Sequence, residues 1–245
     1  MSQSDNQQRA LVVGAGDAIG SAIMKRFAIA GFEVFGVRRN GEKLAPLVEE
    51  LTASGHKVHG WSCDARKEEE VASLFERITK EHGDLDVIIF NIGANVPMQI
   101  IDTSSKKFFK IWEMACFSGF LVGKEAAEHF IKQGKGTLIF TGATASVRGA
   151  AGFGAFSSAK GALRNMVQSL ARELMPQNIH VAHVVVDAAV DTEWIQENVL
   201  AHVKDRKEDD IVKPDSIADV YYQLHTQPRD AWTFEMDLRP WCERW

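Results

Sequence analysis

The sequence lacks any apolar run near the ~20 residues that a membrane-spanning helix needs. Residues 1–9 are polar and lack the apolar centre of a signal peptide, so they are expected to form a disordered tail outside the fold. There is no excess of positive charge. The 28 Lys and Arg stand against 33 Asp and Glu, a net charge of −5, which leaves no nucleic-acid footprint and no polybasic membrane patch. Cysteine is scarce. The 3 cysteines, Cys63, Cys116 and Cys242, are odd in number and far apart, which excludes a disulfide framework or a metal-spacing motif and suits a reducing cytoplasm. The 8 histidines offer no ligand cluster, and no metal is expected. His180 and His183 lie on one expected strand but point to opposite faces, so both are read as structural. There is no low-complexity linker and no internal repeat, so residues 10–245 are expected to form one domain. At 245 residues, 45% hydrophobic and 25% charged, the chain is ordinary for a globular protein. A chain this long buries roughly 70–75% of its unfolded surface, which needs no cross-link.

What is present is an alternation of short apolar runs with longer amphipathic segments. Residues 10–13, 32–37, 57–62, 86–90, 137–140 and 179–186 read as strands. Helices are expected up to residue 30, over 42–53, 67–81, 105–132 with a break near Gly119, 156–175 and 214–224. In 67–81 the apolar residues Val71, Leu74, Phe75 and Ile78 fall three and four apart, and Pro176 stops the helix before it. Over 232–239, Trp232, Phe234, Met236 and Leu238 alternate with polar residues, which predicts a strand buried on one side. Continuous apolar strands between helices imply an α/β fold, a doubly wound parallel sheet with helices on both faces.

The first strand runs into Gly14-Ala15-Gly16-Asp17-Ala18-Ile19-Gly20. A Gly-rich turn between a strand and a helix lets backbone approach a pyrophosphate, and the helix start supplies free N–H groups. This turn on the first strand of an alternating chain points to a Rossmann-type nucleotide site. Arg38 and Arg39 end the second strand, where sites for NAD usually carry an acid and sites for NADP carry arginine. Two guanidinium groups suit a 2′-phosphate, so NADP(H) is favoured over NAD(H). Glu33 lies too early on the strand to replace the missing acid.

These motifs, in this order, resemble the short-chain dehydrogenase/reductase family. Gly14 to Gly20 is similar to that family's T-G-x-x-x-G-x-G turn, with Val13 for the Thr and Ala18 for the middle Gly. Asn91-Ile92-Gly93-Ala94 stands where the family has N-N-A-G. The resemblance implies a cofactor shell of Gly14, Gly16, Asp17, Ala18, Ile19, Gly20, Arg38, Arg39, Asp64, Ala65, Asn91, Gly93, Lys160, Val190 and Thr192. Within it Asp64 would contact adenine and Thr192 the carboxamide, although Asp187-Ala188 replaces the usual Pro-Gly. It also implies a Y-x-x-x-K pair, a Ser thirteen residues before the Tyr, and an Asn on the long middle helix. Here Phe156 holds the Tyr position, Ala143 the Ser position and Cys116 the Asn position, and only Lys160 remains. The chain thus looks like a divergent subgroup with Phe in place of the catalytic Tyr.

Phe156 has no ionisable proton, and a positioned general acid is typically worth about 10²–10⁴-fold. Simple carbonyl reduction through this site should be weak or absent. Thr144, beside the Ser position, is a candidate substitute hydroxyl, with Cys116, Asp187 and Asp191 as further candidates. Ser157 and Ser158 flank Phe156 but should point away from its face. The family implies an NADP(H)-dependent oxidoreductase, its substrate unnamed and lying under residues 191–213. The alternatives are a non-catalytic NADP(H)-binding protein, acting as sensor or as partner of an active relative, and a scaffold that has lost the nucleotide. Phe108, Phe109, Trp112 and Phe117 read as core or interface residues, and the apolar surface on 105–132 and 156–175 implies a homodimer or homotetramer.

Overall fold

The computed structural model describes residues 7–93, 95–198, 201 and 207–243. Seven strands join in the order β3-β2-β1-β4-β5-β6-β7, and every neighbouring pair is parallel. They are β1 (Arg9–Val13), β2 (Glu33–Arg38), β3 (Val58–Ser62), β4 (Val87–Phe90), β5 (Gly136–Ala143), β6 (Ile179–Val186) and β7 (Glu235–Leu238). Parallel strands require crossovers, and helices supply them on both faces. The helices are α1 (Ile19–Ile29), α2 (Ala45–Ala53), α3 (Glu68–Glu81), α4 (Ser105–Trp112), α5 (Ser118–Gln133), α6 (Gly154–Leu174), α7 (Glu193–Asn198) and α8 (Pro214–His225).

Two apolar cores result, one on each side of the sheet. Leu11, Phe35, Ile88 and Phe140 face α3, α5 and α6, where they meet Phe75, Phe130, Leu163 and Val167. Val12, Val34, Ile89 and Val184 face α1 and α8, where they meet Phe27, Met24, Ile217 and Tyr221. Covering both faces removes the need for polar alternation, which is why all 8 residues of β6 are buried.

Several expectations need correction. Arg9 opens β1 and pairs with Glu33 instead of ending a tail. Gln7 is tied in as well, its side-chain amide donating to the Gly31 carbonyl at 2.7 Å. The rest of the expected tail, residues 1–6, lies outside the described residues. The long middle helix is interrupted before Gly119, by a π turn over Glu113–Phe117. Gly119 serves close packing, since a Cβ there would lie 2.6 Å from Leu163 Cδ1 on α6. The last strand is shorter than predicted, and within it Met236 and Leu238 share one face. Phe234 packs on the α6 side, whereas Met236 and Leu238 pack on the α8 side. Trp232 precedes the strand and stacks on His180 at 4.9 Å. β7 is the sheet edge and pairs in register with β6 along Glu235–Leu238.

No helix among the described residues is long and apolar enough to cross a membrane.

Candidate functional site

In a parallel sheet all carboxyl ends meet on one edge, and a crevice opens where the strand order reverses. Here the reversal lies between β1 and β4. Gly14 follows β1 and Asn91 follows β4, and they touch. The Asn91 side-chain amide donates to the Gly14 carbonyl at 3.0 Å. Gly14 has φ +93, and a Cβ there would lie 2.6 Å from the Asn91 carbonyl oxygen. A side chain is excluded by conformation and by space. Gly20 is equally confined, because α1 lies directly on the loop, with Ala15 Cα 2.6 Å from a would-be Cβ.

The loop is open where a ligand would lie. A Cβ at Gly16 or Gly93 would meet nothing within 4 Å. Ala18 at the N-cap of α1 makes no side-chain cap, and the first turn carries no acid. Free amides, the positive end of α1 and two open glycine faces fit the pyrophosphate of a dinucleotide. Two clefts adjoin this loop and share Gly14, Gly16, Asn91, Ile92 and Gly93 in their walls.

The first, about 530 Å³, is the basic one. It brings together the expected Arg38, Arg39, Asp64 and Ala65. It also contains Asn40, Lys43 and Arg66, which the motif reading missed. Lys43 lies in the turn that follows Arg39, so a scan for basic residues beyond the strand end would have found it. Arg38 donates to Asp17 Oδ1 at 2.6 Å, which links the second strand to the glycine loop. Both Asp64 oxygens are engaged by the Arg66 guanidinium, at 2.8 and 2.6 Å. The Arg66 hydrogen bonds hold the Asp64 carboxyl below its usual range, against the opposing effect of burial.

The second cleft, about 590 Å³, contains Ala143, Thr144, Phe156, Lys160, Val190 and Thr192, as the resemblance implied. Lys160 is no surface lysine. It is 2% exposed, and its ammonium donates to the Ile92 and Thr141 carbonyls at 2.9 and 2.8 Å. Burial pulls its pKa from 10.5 down to about 8. Phe156 lies one helical turn away on the same face and is buried. Cys116 sits in the π turn, where burial pushes its thiol up. A thiol so shifted is a poor proton donor and acts as a small apolar group.

The candidate substitute acids are differently employed. Thr144 faces the cleft wall, but its hydroxyl donates to Asp187 Oδ1 at 2.6 Å. Asp187 also receives two bonds from Arg148 and has Arg239 3.5 Å away. Burial would raise its pKa, but the Thr144 hydroxyl and the Arg148 and Arg239 charges outweigh that and hold it low. Asp187 is therefore a paired carboxylate with no proton to give. Asp191 accepts from Gln196 at 2.7 Å. Thr192 caps α7, accepting from the Ile195 amide at 3.2 Å. Ser157, expected to point away, lines the cleft, and its buried hydroxyl has no partner among the described residues. It was missed because a 21-residue helix packed along its length presents more than one face to its surroundings. Ala94, 199, 200 and 202–206, which fall in the expected cofactor and substrate segments, lie outside the described residues.

The eight histidines are not all scattered. His180 and His183 do lie on opposite faces of β6, bonded to the Thr233 carbonyl and to Glu235. His59 and His82, however, converge on Glu33 at the far end of the sheet.

A family model for short-chain dehydrogenases matches residues 8–202, and the chain belongs to the short-chain dehydrogenase/reductase family. It is 32% identical over 175 residues to a short-chain dehydrogenase/reductase of Armillaria gallica, covering 70% of this chain and 67% of that one. A short-chain dehydrogenase from Rhodopseudomonas palustris superposes with a TM-score of 0.82 at 47% identity, covering 96% of this chain and 99% of that chain. An alcohol dehydrogenase from Thermococcus sibiricus, solved with 5-hydroxy-NADP, gives 0.84 at 25% identity, covering 97% of this chain and 98% of that one.

Burying Lys160 has a measurable consequence. Between about pH 8 and its unfolded value of 10.5 the unfolded chain holds more protons at this residue than the native state does. Stability contributed through Lys160 therefore rises with pH across that window. Urea unfolding of the native protein and of Lys160→Met should give curves whose difference shifts in favour of the native lysine from pH 8 to 10. Parallel pH profiles would show that the ammonium is not desolvated.

Proposed function

We propose that this chain is an NADP(H)-binding oxidoreductase of the short-chain family that has lost the Tyr-based proton donor and retains the cofactor platform. The observation that carries the reading is the pair of clefts joined along the glycine loop, one basic and one containing buried Lys160. The basic cleft supports NADP(H): Arg38, Arg39 and Lys43 supply positive charge where a 2′-phosphate would lie, and no carboxylate from the end of β2 competes for the ribose. The loop amides would hold the pyrophosphate. Lys160 has three N–H bonds and uses two on carbonyls, which leaves one for a ribose hydroxyl.

The bound nicotinamide would supply hydride, and orientation is what the protein adds. Phe156 and Ala143 make the reacting end apolar, and Cys116 is buried in the π turn outside the cleft lining, so the chain offers no strong acid to a simple ketone. The Ser157 residue lines the cleft, but its hydroxyl oxygen is buried, and a serine does not ionise near neutral pH. This favours substrates that take their proton from water, such as conjugated enones, over unactivated ketones. The same apolar wall is what supports the alternative, a cofactor-binding protein without turnover.

Calorimetry with NADPH and NADH tests the cofactor. NADPH should bind at least tenfold more tightly, and Arg38→Ala with Arg39→Ala should erase that difference while sparing NADH. Equal affinities in the native protein would reject the assignment.

Rebuilding the acid tests the chemistry. Phe156→Tyr places a phenol one turn from Lys160, whose positive charge favours phenolate and lowers its pKa from about 10. Adding Ala143→Ser and Cys116→Asn should be more than additive, because such groups act as a unit. NADPH-dependent ketone reduction should be weak in the single variant and stronger in the triple. A native protein already as fast as the triple would mean that another group supplies the proton. A folded, NADPH-binding triple variant that stays inert toward ketones, beside a native protein inert toward enones, would favour the non-catalytic reading.

A homo-oligomer is part of the same proposal. Phe109, Trp112, Phe117 and Phe120 stack in series along the outer side of α4, the π turn and α5, at 6.4, 6.3 and 6.0 Å. Phe109 and Phe120 are 59% and 45% exposed, which a partner helix would cover. Light scattering should give at least a dimer of 27.2 kDa chains, and Phe109→Glu with Phe120→Glu should yield monomer. A native particle of one chain at all concentrations would reject it.

A further inference from the structure

The amino end of the sheet carries a cluster that the proposed reaction does not use. Glu33 opens β2, His59 lies on β3, and His82 follows α3. One oxygen, Glu33 Oε1, meets His59 Nε2 at 2.9 Å and His82 Nδ1 at 2.8 Å. The three atoms all lie within 4.8 Å of one another. Residues 26 and 49 positions from Glu33 are thus brought to a single point by the fold.

We propose that Glu33, His59 and His82 form a binding site for a divalent transition metal, with Zn²⁺ the best-matched ion. Two imidazoles and one carboxylate are a borderline donor set of the kind Zn²⁺ prefers over Mg²⁺ or Ca²⁺. Zinc ligands sit about 2.0–2.2 Å from the ion, so tetrahedral ligand atoms are roughly 3.3–3.5 Å apart. The observed 2.8 and 2.9 Å need to open by only about half an ångström. The fourth position is available to water, because the His59 and His82 side chains are 29% and 19% exposed.

The surroundings hold the ligands in place, as second-layer contacts do in metal sites. Glu33 Oε2 accepts from Arg9 Nε at 3.3 Å, which leaves Oε1 to the metal. His59 stacks on Phe35 with ring centres 4.7 Å apart, and His82 meets the same ring edge-on at 4.8 Å. On binding, each neutral imidazole would carry its proton on the far nitrogen. For His82 that atom is Nε2, with Glu81 Oε2 3.9 Å away. The metal would tie together β2, β3 and the end of α3. The six residues of β2 separate it from the nucleotide loop by about 16 Å at ~3.3 Å per residue, so it has no part in hydride transfer.

The test is a Zn²⁺ titration of the whole chain by calorimetry, beside the visible absorption of bound Co²⁺. One metal per chain is expected, with a raised melting temperature. His59→Gln and His82→Gln should each weaken binding at least tenfold, with native far-UV circular dichroism. A variant with Cys63, Cys116 and Cys242 all changed to Ser should bind as the native chain does. Absence of stoichiometric Zn²⁺ binding by the native chain would overturn the proposal without any variant. So would binding that survives the double His59→Gln, His82→Gln change or disappears with the cysteines.

Discussion

A buried chain of hydrogen bonds holds the site to the sheet. Thr141 on β5 donates its hydroxyl proton to Asn91 Oδ1 at 2.9 Å. Its proton is thereby committed, so the contact with Tyr221 at 2.7 Å must have the phenol as donor. Asn91 then donates to the Gly14 carbonyl. The Thr141 carbonyl, from the same residue, accepts from Lys160. One threonine therefore connects α8, β5, β4, the glycine loop and α6. Tyr221 is fully buried, and burial pushes its phenol well up, so it remains a neutral donor. Buried polar groups are costly unless every partner is present, and such a network has one satisfied arrangement. That constraint fixes the distance between the loop that would hold pyrophosphate and the lysine that would hold ribose.

The reacting end is organised differently. Phe156 and Ala143 line this cleft beside Lys160 and Arg148, and the nearby carboxylate of Asp187 is taken up in pairs. Asp187 is held by Thr144 and Arg148, with Arg239 beside it. The arrangement stabilises an ionised carboxylate at the end of β6 and keeps the loop that begins there in place. The same residues that looked like spare acids are thus structural, because a carboxylate facing two guanidinium groups keeps its charge.

The two ends of the sheet divide the chemistry between them. At the carboxyl ends, loops carry glycine and basic residues and leave open clefts. At the amino ends, Glu33 collects His59, His82 and Arg9. Hydrogen bonds from the two histidines hold the Glu33 carboxyl low despite its burial. Parallel topology makes this separation unavoidable, since every strand runs the same way and its ends cannot exchange places.

The doubly wound architecture and the glycine loop were legible in the sequence because they are local, whereas the Lys160 position was implied by the family resemblance. Apolar runs and a strand-turn-helix signature are each contained in a short stretch of chain. The arginine pair was legible for the same reason. What stayed hidden depends on residues distant in sequence. The Glu33 cluster joins three elements, and no spacing rule links positions 33, 59 and 82. The pairing of Asp187 spans 43 and 39 residues, so its loss as an acid could not be read from its neighbours. The π turn at Glu113–Phe117 packs against α6, and a periodicity of 3.6 carries no mark of it. Sequence determined which segments are strands and helices, through local propensity and apolar period. Tertiary structure alone decided which polar groups distant in sequence share a partner, because that depends on where the sheet brings their segments together.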